Sequence, residues 1–213
     1  MEKRLGLALD LTMAAVEQET GLTPAYHPLR RLSEIIGELN DRYAEAIGLS
    51  FERAFHERET FIRPDGGFWY IEEWGEPHRY ILVAEAKRQG TNKARMAEGK
   101  PKQAKGNAIE RLGKNMRGID AMFLGEMITP FVCFGEGDDF ADDSSIRDRV
   151  ATLNGFFPLN QVFVDKIPLG ADTFKPTSLF FREEPWTPAE MTEVLLRVSR
   201  RSVEYYRETY QLP

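Results

Sequence analysis

The apolar positions between Leu29 and Ile47 fall at Leu32, Ile35, Ile36, Leu39, Tyr43 and Ile47, with Arg, Glu and Asp elsewhere. Spacings of three and four place them on one stripe, which predicts an amphipathic helix packed against something. The N-terminal run MEKRLGLALDLTMAAVEQE is also predicted as a helix. Its apolar stretch is broken by Asp10 and no small-residue cleavage site follows, so it does not read as a signal peptide. From Phe61 to Glu72 the pattern turns extended. Pro64 restrains the residue before it, Gly66 and Gly67 permit a tight or bulged backbone, and FWYI favours a strand. WGEPH at 74–78 reads as a turn. Arg79 to Ala86 (RYILVAEA) is a short apolar run that ends among charged residues, the pattern of a central strand whose end emerges into a site. The two extended stretches predict an antiparallel hairpin.

Beyond it, residues 90–105 carry Gly, Pro, Lys and Asn with little periodicity and read as a long basic loop. A helix is predicted from about Asn107 to Glu126, and a buried strand over Pro130 to Gly135. EGDDFADDSS reads as an acidic surface loop, and Gln161–Asp165 and Ser178–Arg182 as short strands. Thr187-Pro188-Ala189-Glu190 is a capping box with Pro at the first helical position, opening a helix to about Tyr210 with Met191, Val194, Leu195 and Val198 on one face. Helices flanking a mixed sheet make this α/β or α+β. At 213 residues the chain fits one domain with a basic arm at about 88–106.

Composition narrows the function. Hydrophobic residues make up 42%, enough for a real core. No apolar run is long enough to span a membrane. The single cysteine, Cys133, cannot form an internal disulfide, which suits a reducing compartment such as the cytoplasm. The net charge of −6 hides a local excess: Lys87 to Arg117 carries +8, leaving −14 for the remainder. A basic face on an acidic body suits a protein that grips phosphate along one surface.

Candidate chemistry sits beside that face. Asp65 opens the hairpin and Glu85 closes its second strand, so the fold can bring them together. Glu85 and Lys87 are i and i+2 and point to one side of a strand, while Ala86 points into the core. Magnesium needs only one or two carboxylates plus substrate phosphate oxygens, and Lys87 can orient or stabilise the reacting groups. Each signal is weak alone; an apolar strand feeding the triplet, with a basic segment directly after it, is stronger. On a wheel of about 100° per residue, Ile109, Leu112, Met116, Ile119 and Phe123 share one stripe and Asn107, Arg111 and Lys114 the opposite side. Asn and Arg are side chains that read base edges, and Gly106 admits close backbone approach. The bland alternatives are a solvated strand edge for Glu85–Lys87 and a solvated face with a Glu110–Lys114 pair for the helix. His27, His56 and His78 give no zinc spacing, and no phosphate-binding loop indicates a nucleotide cofactor.

PDGG at 64–67, VAEAK at 83–87 followed by Gln89-Gly90, and GNAIER at 106–111 followed by Lys114-Asn115 resemble the EcoRI family of restriction endonucleases. The PD…ExK pattern covers a large nuclease superfamily, whereas GNAIER is far more specific; the close match covers roughly residues 61–135. The resemblance implies a restriction-endonuclease-like sheet and a homodimeric type II enzyme cutting palindromic double-stranded DNA with Mg²⁺ and leaving 5′-phosphates. It implies Asp65 and Glu85 as metal ligands, Lys87 as the catalytic lysine, and Asn107, Ala108 and Arg111 as readers of inner AATT bases. It implies Glu110 as a buttress orienting arginine across the dimer, a basic loop embracing DNA, and a cognate methyltransferase protecting the same site. Arg88, Lys105, Gly106 and Lys114 complete the candidate DNA-binding set. Two departures concern the outer base pair: Arg88 stands where the family pattern has histidine, and PKQAK before Gly106 lacks a methionine. GAATTC is the first expectation, with CAATTG or a degenerate site open. A non-cleaving DNA-binding module and a structure-selective nuclease of the junction-resolvase kind remain alternatives.

Overall fold

The apolar runs become the middle of a five-stranded sheet. The computed structural model describes residues 1–53, 58–90, 92–100, 107–141 and 144–213. In spatial order the strands are β1 (Pro24–His27), β4 (Phe68–Ile71), β5 (Tyr80–Arg88), β6 (Phe131–Glu136) and β9 (Ser178–Arg182). The β1–β4 and β4–β5 pairings are antiparallel; β5–β6 and β6–β9 are parallel. This is the predicted mixed sheet and the predicted hairpin.

β5 is buried from Tyr80 to Ala86 because both faces of the sheet are covered. Leu82, Ala84 and Ala86 pack in a core shared with α1 (Glu2–Thr20) and α7 (Pro188–Tyr210). Val83 lies in a second core with Ile109, Leu112 and Ile119 of α5 (Asn107–Met122), with Phe123 just after it, and with Ile146 and Val150 of α6 (Ser145–Leu153). Strand alternation sends Glu85 and Lys87 to that second face. α5 (Asn107–Met122) buries the predicted stripe, with Met116 at its edge, and leaves Arg111 and Lys114 exposed. It stops short of Glu126 because the chain turns: Gly125 is left-handed at φ 88° and the buried Lys166 ammonium caps the Phe123 carbonyl at 2.7 Å. The capping box of α7 is present, with Thr187 N–H donating to Glu190 Oε2 at 2.8 Å and Glu190 N–H to Thr187 Oγ1 at 3.2 Å.

Several elements differ from expectation. Arg30–Arg31 (β2) leave the helix predicted over Leu29–Ile47 and pair with Phe61–Ile62 (β3) as a separate ribbon. The helix then runs as α2 (Leu32–Leu39), a π turn over Asn40–Ala44, and α3 (Glu45–Ile47), leaving Ile47 exposed. Part of the predicted basic loop forms α4 (Asn92–Ala97); residues 91 and 101–106 lie outside the described set. The acidic segment is only partly a surface loop. Its 3-10 turn, Asp138–Phe140, buries Phe140 against Phe181, and Ser144 caps α6 through the Ile146 amide. Gln161–Asp165 is not a strand. The Ser178 hydroxyl both accepts from Phe163 N and donates to Phe163 O, each at 2.8 Å, in place of a ladder, and one isolated bridge joins Asp165 to Ile128. A hairpin of β7 (Ile167–Leu169) and β8 (Asp172–Phe174) was not anticipated. Among the described residues, no helix is long and apolar enough to cross a membrane.

Candidate active site

Asp65 reaches the end of β5 because the chain before β4 makes a tight turn. Gly67 N–H donates to Pro64 O at 3.1 Å and Gly66 N–H to Ala84 O at 2.8 Å, laying the turn along β5. Gly66 is required there: a Cβ would stand 2.8 Å from both Ala84 Cβ and Leu9 Cδ1. Gly67 adopts φ 70°, a conformation that costs other residues energy.

This turn brings the predicted triplet together. The Asp65 N–H donates to Glu85 Oε2 at 3.2 Å, and Asp65 Oδ2 accepts from Ala86 N–H at 3.1 Å. Lys87 Nζ bonds Glu85 Oε1, lies 3.6 Å from Asp65 Oδ2 and donates to Ala86 O at 3.2 Å. The side chain of Glu85 is 2% exposed, that of Lys87 15% and that of Asp65 31%. Burial pushes the Glu85 carboxyl above its ordinary value, while the Lys87 ammonium opposes that shift and the Asp65 charge adds to it. Burial works against the Lys87 ammonium, yet the Glu85 carboxylate outweighs it and raises Lys87 overall.

β6 supplies the floor. Cys133 pairs in register with Glu85 and Gly135 with Lys87. Burial, and then the neighbouring Glu85 charge, push the Cys133 thiol well up, which makes it an unreactive packing group. Gly135 has no room for a side chain, since a Cβ would lie 2.2 Å from the Phe181 ring.

The donor set suits a hard divalent cation. Two carboxylates face one ammonium, and these carboxylates and the Ala86 carbonyl beside them offer oxygen donors. Among the described residues no group of three or more His, Cys, Asp or Glu could hold a metal.

The implied DNA contacts are distributed unevenly. Arg88 ends β5 and is exposed, next in register to Glu136. Glu110, Arg111 and Lys114 are exposed on α5, away from its packing stripe. Asn107 and Ala108 open that helix, with their side chains outside the described set; Lys105 and Gly106 lie outside it entirely. Two acidic anchors were missed. The Lys93 N–H donates to Asp138 Oδ2 at 3.2 Å, and the Lys93 ammonium pairs with Glu183. The acidic run near 136 was the only sequence signal for the first; nothing marked Glu183.

The chain is similar to known proteins over this region. Residues 30–147 match the family model described as "Restriction endonuclease EcoRI", a span that includes the triplet and α5. The chain is 32% identical over 183 residues to the type II restriction enzyme RsrI of Cereibacter sphaeroides, covering 71% of this chain and 66% of that enzyme. It is 38% identical over 92 residues to the type II restriction enzyme EcoRI of Escherichia coli, covering 39% of this chain and 33% of that enzyme. The chain thus spans just under two thirds of the first relative and one third of the second.

Proposed function

The chain belongs to the EcoRI restriction endonuclease family, and on that premise we propose that it is a type II endonuclease hydrolysing double-stranded DNA at a palindrome with Asp65, Glu85 and Lys87. The observation that carries this is the convergence of both carboxylates on one partly buried lysine at the end of a central strand. A solvated strand edge would not bury Glu85 to 2%.

Asp65 and Glu85 are the residues that would hold Mg²⁺. Bound there, the ion supplies charge neutralisation at the scissile phosphate and lowers the pKa of a coordinated water. Lys87 contributes positive charge where negative charge grows, and three donors to orient the attacking water. The Asp65–Ala86 and Asp65–Glu85 hydrogen bonds fix both carboxylates before substrate arrives, so little reorganisation remains. Attack by water on phosphorus breaks the bond to the 3′ oxygen, leaving a 3′-hydroxyl and a 5′-phosphate.

Recognition is assigned to the start of α5. Arg111 is exposed and faces away from the core, as a base-reading guanidinium must. Asn107 and Ala108 are assigned with it to inner AATT bases, with GAATTC the first site to test. Glu110 orients arginine across a homodimer; Arg88, Lys105, Gly106 and Lys114 contact DNA around it. A methyltransferase acting on the same sequence is the expected partner.

The test is digestion of a fully sequenced plasmid with Mg²⁺, with the ends mapped. Cleavage at one palindrome supports the reading. Intact plasmid, or cutting confined to branched DNA, would overturn it. Lys87→Ala should keep sequence-specific binding and lose cleavage.

A further inference from the structure

The catalytic turn contains two successive glycines directly after Asp65. Glycine is the backbone residue least able to hold one conformation by itself. Its position must come from bonds made to it, and one of these comes from the edge of the sheet. The indole N–H of Trp69 donates to the carbonyl of Gly66 at 2.9 Å. The amide of the same glycine is bonded to Ala84 O at 2.8 Å, so both polar groups of Gly66 are fixed, one to the central strand and one to Trp69.

Trp69 is itself held by its cross-strand partner. Tyr26 of β1 pairs in register with Trp69 of β4, and their rings stack at 5.0 Å and 24°. Tyr26 is 55% exposed, so its ring forms an outer cover over the indole. The register shifts between Trp69 and Tyr70, a bulge of the kind that redirects a side chain next to a site. Trp69 packs only at the margin of the core below. A packing role alone does not account for a ring that spends its one donor on the carbonyl next to Asp65.

We infer that Trp69, covered by Tyr26, is a positioning residue for the cation site, holding Asp65 at the separation from Glu85 that a divalent ion needs. The inference rests on the metal-dependent cleavage proposed above. Neither Trp69 nor Tyr26 is assigned contact with the cation or the reacting phosphate.

The test compares wild type with Trp69→Phe, which keeps a ring and removes the donor. Mn²⁺ binding to the protein with a cognate duplex, followed by the electron paramagnetic resonance of free Mn²⁺, should weaken about three- to tenfold, the scale of one neutral hydrogen bond. Amide exchange should accelerate at 65–67 and stay unchanged at 80–86. The Mg²⁺ concentration for half-maximal cleavage should rise in step, with duplex binding unchanged. Wild-type Mn²⁺ affinity and wild-type exchange at 65–67 in Trp69→Phe would overturn the inference. If that variant does not fold, Tyr26→Ala at the exposed ring decides instead: faster exchange at 65–67 supports the inference, and unchanged exchange overturns it. Failure of wild type to cleave any DNA counts against the proposed function. The exchange comparison reads the positioning role separately in that event.

Discussion

The main-chain N–H of Asp65 donates to a carboxylate oxygen of Glu85, 20 positions later, at 3.2 Å. The bond makes each of the two residues part of the other's support. A carboxylate so deeply buried is tolerated because an ammonium and an amide face it.

Removing the ammonium should therefore have two separable effects. Lys87→Ala should lower the cleavage rate by about 10²–10³-fold, the scale of losing one positioned charge-stabilising group. It should also lower stability by about 1–3 kcal/mol, because Glu85 is left buried without its partner. Added divalent cation should recover part of that stability and none of the rate. Single-turnover cleavage and thermal melts with and without Mg²⁺ measure both; a rate within a few-fold of wild type would remove Lys87 from the mechanism.

Gly66→Ala probes the turn by volume. The added methyl meets Ala84 Cβ and Leu9 Cδ1 at 2.8 Å, a contact that requires movement. Overpacking of this kind costs about 1–3 kcal/mol. Urea unfolding should show it, and cleavage should fall further than stability predicts as Asp65 is displaced from Glu85. A variant as stable and as active as wild type would mean that the turn shifts freely.

Arg111→Ala should weaken binding to the cognate duplex by about 1–3 kcal/mol while leaving low-salt binding to random DNA nearly unchanged. Competition binding at two salt concentrations separates these terms. Equal losses on both DNAs would make Arg111 a phosphate contact, as a structure-selective nuclease requires.

The acid limb of stability should contain Glu190. The hydrogen bond from Arg182 leads, followed by the Thr187 backbone bond, in pulling its carboxyl from 4.5 to about 2. A depressed folded value means stability that is present above about 4.5 and is lost as pH falls through that window towards about 2. The Glu190 side chain is 41% exposed, so solvent screening keeps the effect small. Glu190→Gln should flatten the melting-temperature curve between those pH values and leave it parallel to wild type above pH 6. An unchanged slope would show that the capping box contributes nothing through this charge.

What was legible in the sequence follows from which forces act locally. β5 and α5 were readable because continuous apolar character and a 3.6-residue stripe are local patterns. Glu85 and Lys87 were readable as neighbours because strand alternation is local as well. The pairing of β1 with β4 was not, since PAYH carries no alternation to mark an edge strand. Gln161–Asp165 looked like a strand by composition, but the Ser178 hydroxyl satisfies Phe163 without a ladder. The hydrogen bond from Trp69 to Gly66 depends on a bulge and a side-chain direction, neither of which periodicity encodes.

Cys133 gives the molecule a chemical clock. Its sulfur lies fully buried against Glu85 and is held as a thiol. Alkylating reagents can reach it only when the sheet opens at β6. The rate of labelling at this one position therefore reports how much of the time the sheet beside Glu85 is open. A preparation that labels only slowly over hours keeps the strands beside Glu85 parted for only a small fraction of that time, whether or not any DNA has been offered to it.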